Sequence, residues 1–487
     1  MTFDSKNRYR NIKDAHADEL ENIEKIVNSD HWRQKFHIMP KTGLLNDPNG
    51  LAYFNGKYHI FFQWFPFGPV HGLKHWAHYV SEDMVSWYED KRILIPEEWY
   101  ESHGAFSGSA VIKDNQLYLM YTGNVRTKDN RRKSYQCLAR LEEKKIVKDP
   151  DNPVINSIPD GFTNEFRDPK IFQKDGSFYL VIGGQKENMT GSIAVYQSKD
   201  LHNWNFIGEL KTGLENFGYM WECPDYFELN DTGILLFCPQ GLKPNKDCFN
   251  NIYQSGYIAG DKLNLDTLEF RHSDFTELDR GFDFYAPQTF EKDGRRLMIG
   301  WMGLPEIEYP SEKNFWVHCL TIPRELKLMN NRLVQSPASE LKKLRKEKET
   351  FSENLHKQKI KLPISGTVYE LLAEFSDFSG DFGLELRTGP GDEKTVLWYD
   401  YKNSKIILDR TNSGEKFGLD YGSLRMVHFI APVIKFHIFM DSSSVEIFIN
   451  DGKETFTARI FPGENSSGIS VFSTGTAKIN LSKWNLA

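Results

Sequence analysis

One pattern recurs along the first two thirds of the chain: a polar or acidic start, an apolar run, a turn built on Asn, Asp or Gly, and a second apolar run. It reads DPNGLAYFNGKYHIFFQ from Asp47, SGSAVIKDNQLYLMYTG from Ser107 and RDPKIFQKDGSFYLVIGG from Arg167. It returns as ECPDYFELNDTGILLFCPQ from Glu222 and FYAPQTFEKDGRRLMIGWMG from Phe284. The starts fall roughly 55 to 62 residues apart, a period that marks a repeat architecture. A second echo, SEDMVSW at 81–87 and SKDLHNW at 198–204, sits at equivalent places in two units. Five β units of this length predict an all-β fold whose first domain is a five-bladed β-propeller.

That geometry gives meaning to how each unit begins. Asp47-Pro48-Asn49-Gly50 alone reads as a turn ahead of a strand, since Pro presets φ and Asn-Gly tolerates positive φ. In a propeller the innermost strands run the same way around a central channel, so their starts gather at one end. Asp47, Ser107, Arg167 with Asp168, Glu222 and Tyr285 are therefore expected to converge. The competing reading is a salt-bridge cluster that closes the channel. Three carboxylates against one arginine argue against it, because unpaired buried charge is costly.

The remainder of the chain falls into other parts. Residues 11–28 predict a short amphipathic helix with Leu20, Ile23 and Ile26 on its apolar face, within an N-terminal extension at 1–35 that packs outside the propeller at 36–335. The charged stretch SPASELKKLRKEKETFSEN looks helical and predicts a linker at 336–358. Beyond it, alternating strands with an Asn-Asp-Gly hairpin signal at 450–452 predict a β-sandwich at 359–487.

Composition narrows the function classes. The net charge is −7 and no long basic run occurs, which excludes nucleic acid and anionic membrane as expected partners. The short cluster Arg131-Arg132-Lys133 reads as a solvated loop. Five cysteines show no C-x-x-C spacing and cannot all pair, as in a reduced, cytoplasmic protein without a disulfide framework. Neither a signal peptide nor an apolar span is seen, so an imported small molecule is the expected substrate. Aromatic residues make up 14% of the chain, and flat rings suit sugar faces.

Two carboxyl groups flanking a bond are the minimal equipment for glycoside hydrolysis. Asp47, on a stiff turn, suits a fixed nucleophile. Glu222, between Trp221 and Cys223, is expected to hold a proton through an apolar setting and repulsion from Asp168, which stays ionised. No metal or cofactor is expected: no cation-binding loop occurs, and His71, His75 and His78 read as locally bonded rather than as a zinc site. No G-x-S-x-G elbow occurs either, so the Ser107-Gly108-Ser109 hydroxyls are assigned to sugar contacts.

These motifs taken in order resemble glycoside hydrolase family 32, the β-fructofuranosidases, and in particular its bacterial sucrose-6-phosphate hydrolase branch. The resemblance rests on NDPNG at 46–50, Gln63, HWAHYVSEDMVSW at 75–87, FSGSA at 106–110, FRDP at 166–169, WECPD at 221–225 and FYAPQTF at 284–290, with SSSVEIFINDGKETFTARIFP resembling the C-terminal sandwich. It implies a retaining hydrolase that releases terminal fructose through a covalent fructosyl-enzyme. It implies Asp47 as nucleophile, Asp168 as transition-state stabiliser and Glu222 as acid/base, with Asn46, Gln63, Trp76, Phe106, Ser107, Arg167 and Tyr285 lining the fructose pocket. The substrates implied are sucrose 6-phosphate, sucrose or short fructo-oligosaccharides. The chain departs from the family at Leu44 and Leu45, where Trp and Met or Ile are common. A phosphate would call for cations at the rim, with His71, Lys74 and Lys243 the candidates. Two rival readings share the fold: an inverting arabinanase or xylosidase, and a propeller that binds carbohydrate without turnover.

Overall fold

The computed structural model describes residues 7–486. Five antiparallel sheets form the blades of a propeller, with inner strands at Gly43–Phe54, Ala105–Lys113, Phe162–Lys174, Met220–Leu229 and Tyr285–Lys292. Each inner strand packs on the next around the channel, and the fifth returns to the first. The hairpins that follow them use residues that tolerate positive φ: Asn55-Gly56, Asp114-Asn115, Asp175-Gly176 and Asp293-Gly294. The echoed SEDMVSW and SKDLHNW segments are the same turn built twice. Asp83 and Asp200 accept backbone N–H groups two and three residues on, and Trp87 and Trp204 donate to the carbonyls of Met84 and Leu201.

The ring closes without a shared blade. Trp316–Val317 pairs in parallel with Gly43–Leu44 of the first blade, while Cys319–Leu320 pairs with Trp301–Met302 of the fifth. This short clasp is buried with Leu44, Phe65 and Phe67 against the N-terminal helix Glu19–Asn28, whose Ile23 and Val27 face inward. The expected 11–28 helix is in fact two pieces, a 3-10 turn at Ile12–Asp14 and the helix from Glu19. Residues 8–12 do not stay outside the propeller. Leu73 N–H donates to the carbonyl of Arg8, Ile12 N–H donates to His75 Nε2, and the Tyr9 ring meets His103 edge-on at 4.8 Å.

The stretch expected to be a helical linker is largely strand. Only Ser339–Leu344 forms a 3-10 turn; Arg345–Ser365 runs along the final strand, Gly468–Leu486. Its charged residues suggested a helix, but they instead keep an exposed sheet edge soluble. The final strand is bent between its pairings, with Ser473 opposite Phe382 and Lys478 opposite Ser376. One half therefore belongs to each layer, and the layers enclose an apolar core including Leu371, Leu384, Ile438, Val471 and Ile479. Sandwich and propeller share a buried face on which Phe439, Phe448 and Leu486 join the core of the first and fifth blades.

Candidate active site

All five inner strands carry a β-bulge at the same height. The pairing skips from Leu45 to Pro48, Phe106 to Gly108, Arg167 to Lys170, Glu222 to Asp225 and Tyr285 to Gln288, one extra residue each time. The Asp47–Gly50 stretch, read as a turn, is thus a distortion within a continuous strand. Bulges break the ladder and re-aim side chains, and they accept proline, which has no N–H to give. Pro48, Pro169, Pro224 and Pro287 occupy the equivalent site in four blades and Gly108 in the second. Asp168, Cys223 and Ala286, just before three of these prolines, have φ of 67°, 49° and 46°.

Aligned on that proline, the strands stack their residues in layers. Asn46, Phe106, Arg167, Glu222 and Tyr285 form the wall of a pocket of 370 Å³. Asp47, Ser107, Asp168, Cys223 and Ala286 form the layer beneath, of which Asp47 and Asp168 face the pocket. Farther down, Lys170 binds Asp225 at 2.8 Å, Asp225 accepts Thr289 N–H at 2.7 Å, and Gln288 donates to the carbonyl of Gly108 at 2.9 Å. This polar layer joins different blades across the channel. The convergence expected of Asp47, Ser107, Asp168, Glu222 and Tyr285 is present, although they occupy two layers rather than one.

Asp47 is held from both sides. Asn46 Nδ2 donates to its Oδ1 at 2.8 Å and Ser107 Oγ to its Oδ2 at 2.5 Å. Gln63 links these two donors, accepting from Asn46 at 2.9 Å and donating to Ser107 at 2.6 Å. Lys74 Nζ donates to Asn46 Oδ1 at 2.7 Å, which fixes the amide's orientation. Burial and the Glu222 charge raise the pKa of Asp47, against the pull of its two donors. Burial pushes Lys74 down to about 7, with Asp47 opposing and Arg8 adding to the shift.

Glu222 is bonded rather than placed in the apolar setting expected of it. Trp221 turns away into the core between the third and fourth blades, and Cys223 points to the aspartates. The carboxylate accepts Arg167 Nε and Nη2 on one oxygen, at 2.8 and 2.6 Å, and Gln240 and Tyr285 on the other, at 2.6 and 2.7 Å. Asp168, expected to stay ionised, is pushed up to about 7 by burial and the Glu222 charge, with Arg167 opposing. Its Oδ2 accepts Cys223 N–H at 3.1 Å. The Cys223 thiol lies 3.7 Å from Asp47 Oδ2 and 3.6 Å from Asp168 Oδ2, and burial beside both acids holds its pKa well above the ordinary thiol value.

Two predicted wall residues stand behind the wall. Trp76 is fully buried and donates to the carbonyl of Phe106 at 3.2 Å, and Ser107 is buried beside Asp47. His71 and Lys74 line the pocket, whereas Lys243 is exposed and does not. His75 and His78 turn away from it. His75 bonds Ile12 N–H and the Leu73 carbonyl, and His78 bonds His59. Leu44 and Leu45, at the departures from the family, are buried in separate cores, and an aromatic wall comes from Trp301. Sequence reasoning missed Gln240, Tyr253, Trp301, Arg8 and Tyr9, all at the pocket. For Gln240 a signal existed: it ends the strand paired with the Glu222 strand. Asp47, Asp168 and Cys223 offer ligand atoms within 4.8 Å of one another, a spacing that suits a cation, but hydrogen-bond donors of the protein already occupy both Asp47 oxygens.

Acids from three blades of a five-bladed propeller, meeting in one pocket with aromatic walls, are the equipment of a glycoside hydrolase. Comparison with known proteins agrees. The chain matches the models described as "Glycosyl hydrolases family 32 N-terminal domain" over residues 37–337 and "Glycosyl hydrolases family 32 C terminal" over 340–485. It is 43% identical to a sucrose-6-phosphate hydrolase of Staphylococcus xylosus, covering 98% of this chain and 97% of the relative. A Bacillus subtilis protein of the same name is 41% identical over 96% of this chain and 97% of its own length. Among solved structures, a Lactobacillus gasseri sucrose-6-phosphate hydrolase superposes with a TM-score of 0.92 at 35% identity, covering 100% of this chain and 99% of the other. A Bombyx mori β-fructofuranosidase in complex with sucrose superposes at 0.84 with 32% identity, over 97% and 99%. The chain belongs to glycoside hydrolase family 32. The propeller-and-sandwich fold expected from sequence stands with it.

Proposed function

We propose that the chain is a retaining β-fructofuranosidase acting in the cytoplasm on imported sucrose 6-phosphate, with sucrose and short fructo-oligosaccharides as further substrates. The observation that carries this reading is the placement of the acids: Asp47 and Asp168 on the pocket floor, Glu222 in its wall. Asp47 attacks the anomeric carbon and forms a fructosyl-enzyme while Glu222 gives its proton to the departing oxygen. Glu222 then takes a proton from the water that releases fructose. The donors Asn46 and Ser107 favour the ionised nucleophile. Asp168 faces the same ring and accepts its hydroxyls as positive charge develops. Five free cysteines suit a reducing compartment.

The test is incubation with sucrose 6-phosphate, sucrose and a short fructo-oligosaccharide, with products identified and the first fructose anomer read by NMR. The β anomer is expected, with Asp47→Ala and Glu222→Ala each lowering turnover by several orders of magnitude in a folded protein. Initial release of the α anomer means inversion and overturns the mechanism. Sugar binding without turnover overturns the enzyme.

A further inference from the structure

The pocket mouth carries more positive charge than its acids use. Arg167 is taken up by Glu222 and Glu165. Arg8, Arg126 and Arg132 also line the pocket, and none of them hydrogen-bonds a carboxylate among the described residues. Arg8 donates to the carbonyl of His71 and Arg126 to that of Asn130, both at 3.1 Å. The Arg132 side chain makes no hydrogen bond among the described residues. Its guanidinium rests on the Phe106 ring at 5.2 Å and Nη1 is ion-paired with Glu165 at 3.4 Å, while Nε and Nη1 are buried without a hydrogen bond among the described residues. In the run read as a solvated loop, strand alternation turns Arg132 inward while Arg131 and Lys133 stay exposed.

We propose that Arg132 and Arg126 bind the phosphate of a phosphorylated leaving group, with His103 as a third donor. An inference about this subsite rests on the fructosidase reading above. The cations sit on the correct side. Arg132 stacks on the wall residue Phe106 and reaches Glu165, which joins it to Arg167 and the proton donor Glu222, so it borders the space into which the departing sugar moves. The chemistry is also right, since a planar guanidinium fork matches phosphate oxygens better than an ammonium does. His103 Nδ1 accepts Arg126 N–H at 3.2 Å, which leaves the proton of the neutral ring on Nε2. Burial and the neighbouring Arg167 charge lower the Arg132 pKa to about 10, so an incoming dianion relieves repulsion already present.

The experiment measures kcat/KM for sucrose 6-phosphate and for sucrose in the wild type, Arg132→Met, Arg126→Met and Arg132→Lys, with thermal melts to check folding. Charge-assisted bonds of this kind predict that the preference for the phosphorylated sugar falls about 10- to 100-fold in Arg132→Met, less in Arg132→Lys. Equal losses on both substrates overturn the subsite. Calorimetric titration of glucose 6-phosphate against glucose tests it without turnover. The wild type binds the phosphorylated sugar more tightly and both methionine variants lose that difference; no difference in the wild type also overturns it. If the wild type hydrolyses neither disaccharide yet prefers glucose 6-phosphate, the fructosidase reading fails and the subsite stands.

Discussion

Ser107 has no surface in the pocket, yet its hydroxyl donates to Asp47 Oδ2 at 2.5 Å. That bond favours the ionised carboxylate and opposes the effect of burial. Ser107→Ala removes it, so the Asp47 pKa rises and the acidic limb of kcat/KM moves to higher pH. A hydrogen bond to a charged group is worth about 1.5–3 kcal/mol, which corresponds to a displacement of about 1–2 pH units. A pH–rate profile reads this directly; a variant with lower kcat but an unmoved acidic limb would mean that Ser107 serves packing alone. The serine was assigned to sugar contact from sequence. A hydroxyl at the start of an inner strand pointed to the pocket, but only coordinates distinguish touching the sugar from holding the group that does.

At the scale of the strand, the recurring bulge is what brings five blades into one site. Gly108 occupies the place that proline holds elsewhere, and a Cβ there would stand 1.9 Å from the carbonyl oxygen of Met120. Gly108→Ala is expected to cost about 1–3 kcal/mol and to lower turnover by displacing Ser107, as thermal melts and kcat would show. Asp225→Ala, in the polar layer below the pocket floor, leaves Lys170 as an unpaired buried cation. A loss of about 3–5 kcal/mol in urea unfolding is the expected outcome. Blade number and the convergence of the acids were legible because the unit repeats and its turns carry Asn-Gly and Asp-Gly. The register was only half legible: Asp47, Asp168 and Cys223 are equivalent, and the four prolines after the bulges mark it, yet aligning on the acids set Glu222 one residue out of step with them. Arg345–Ser365 was misread because composition reports charge and not the partner strand, whose residues lie from 103 (Ser365 to Gly468) to 141 (Arg345 to Leu486) positions away in sequence.

Across the whole molecule, a buried polar network joins the two domains. His37 donates from Nδ1 to Asp441 at 2.7 Å and from Nε2 to Glu446 at 3.0 Å, and Arg324 ties Glu446 to Asp279. Burial works against a charged ring, but the two carboxylates outweigh it and hold His37 up to about 9. A pKa raised above the unfolded value stabilises the fold fully below about 6.5 and is lost as pH climbs through the folded value. The shift is worth on the order of 3 kcal/mol, so thermal stability should decline between pH 7 and 10. His37→Gln should melt lower at pH 7 and decline less steeply over that range; an identical slope would place the alkaline weakness elsewhere. No helix among the described residues is long and apolar enough to cross a membrane.

The path of the chain near its beginning has a practical outcome. Arg8 and Tyr9 sit at the doorway through which sugars come and go. A label or bulky substituent placed on either residue would obstruct that traffic without touching the acids, so both positions should be left unmodified when kinetics are measured.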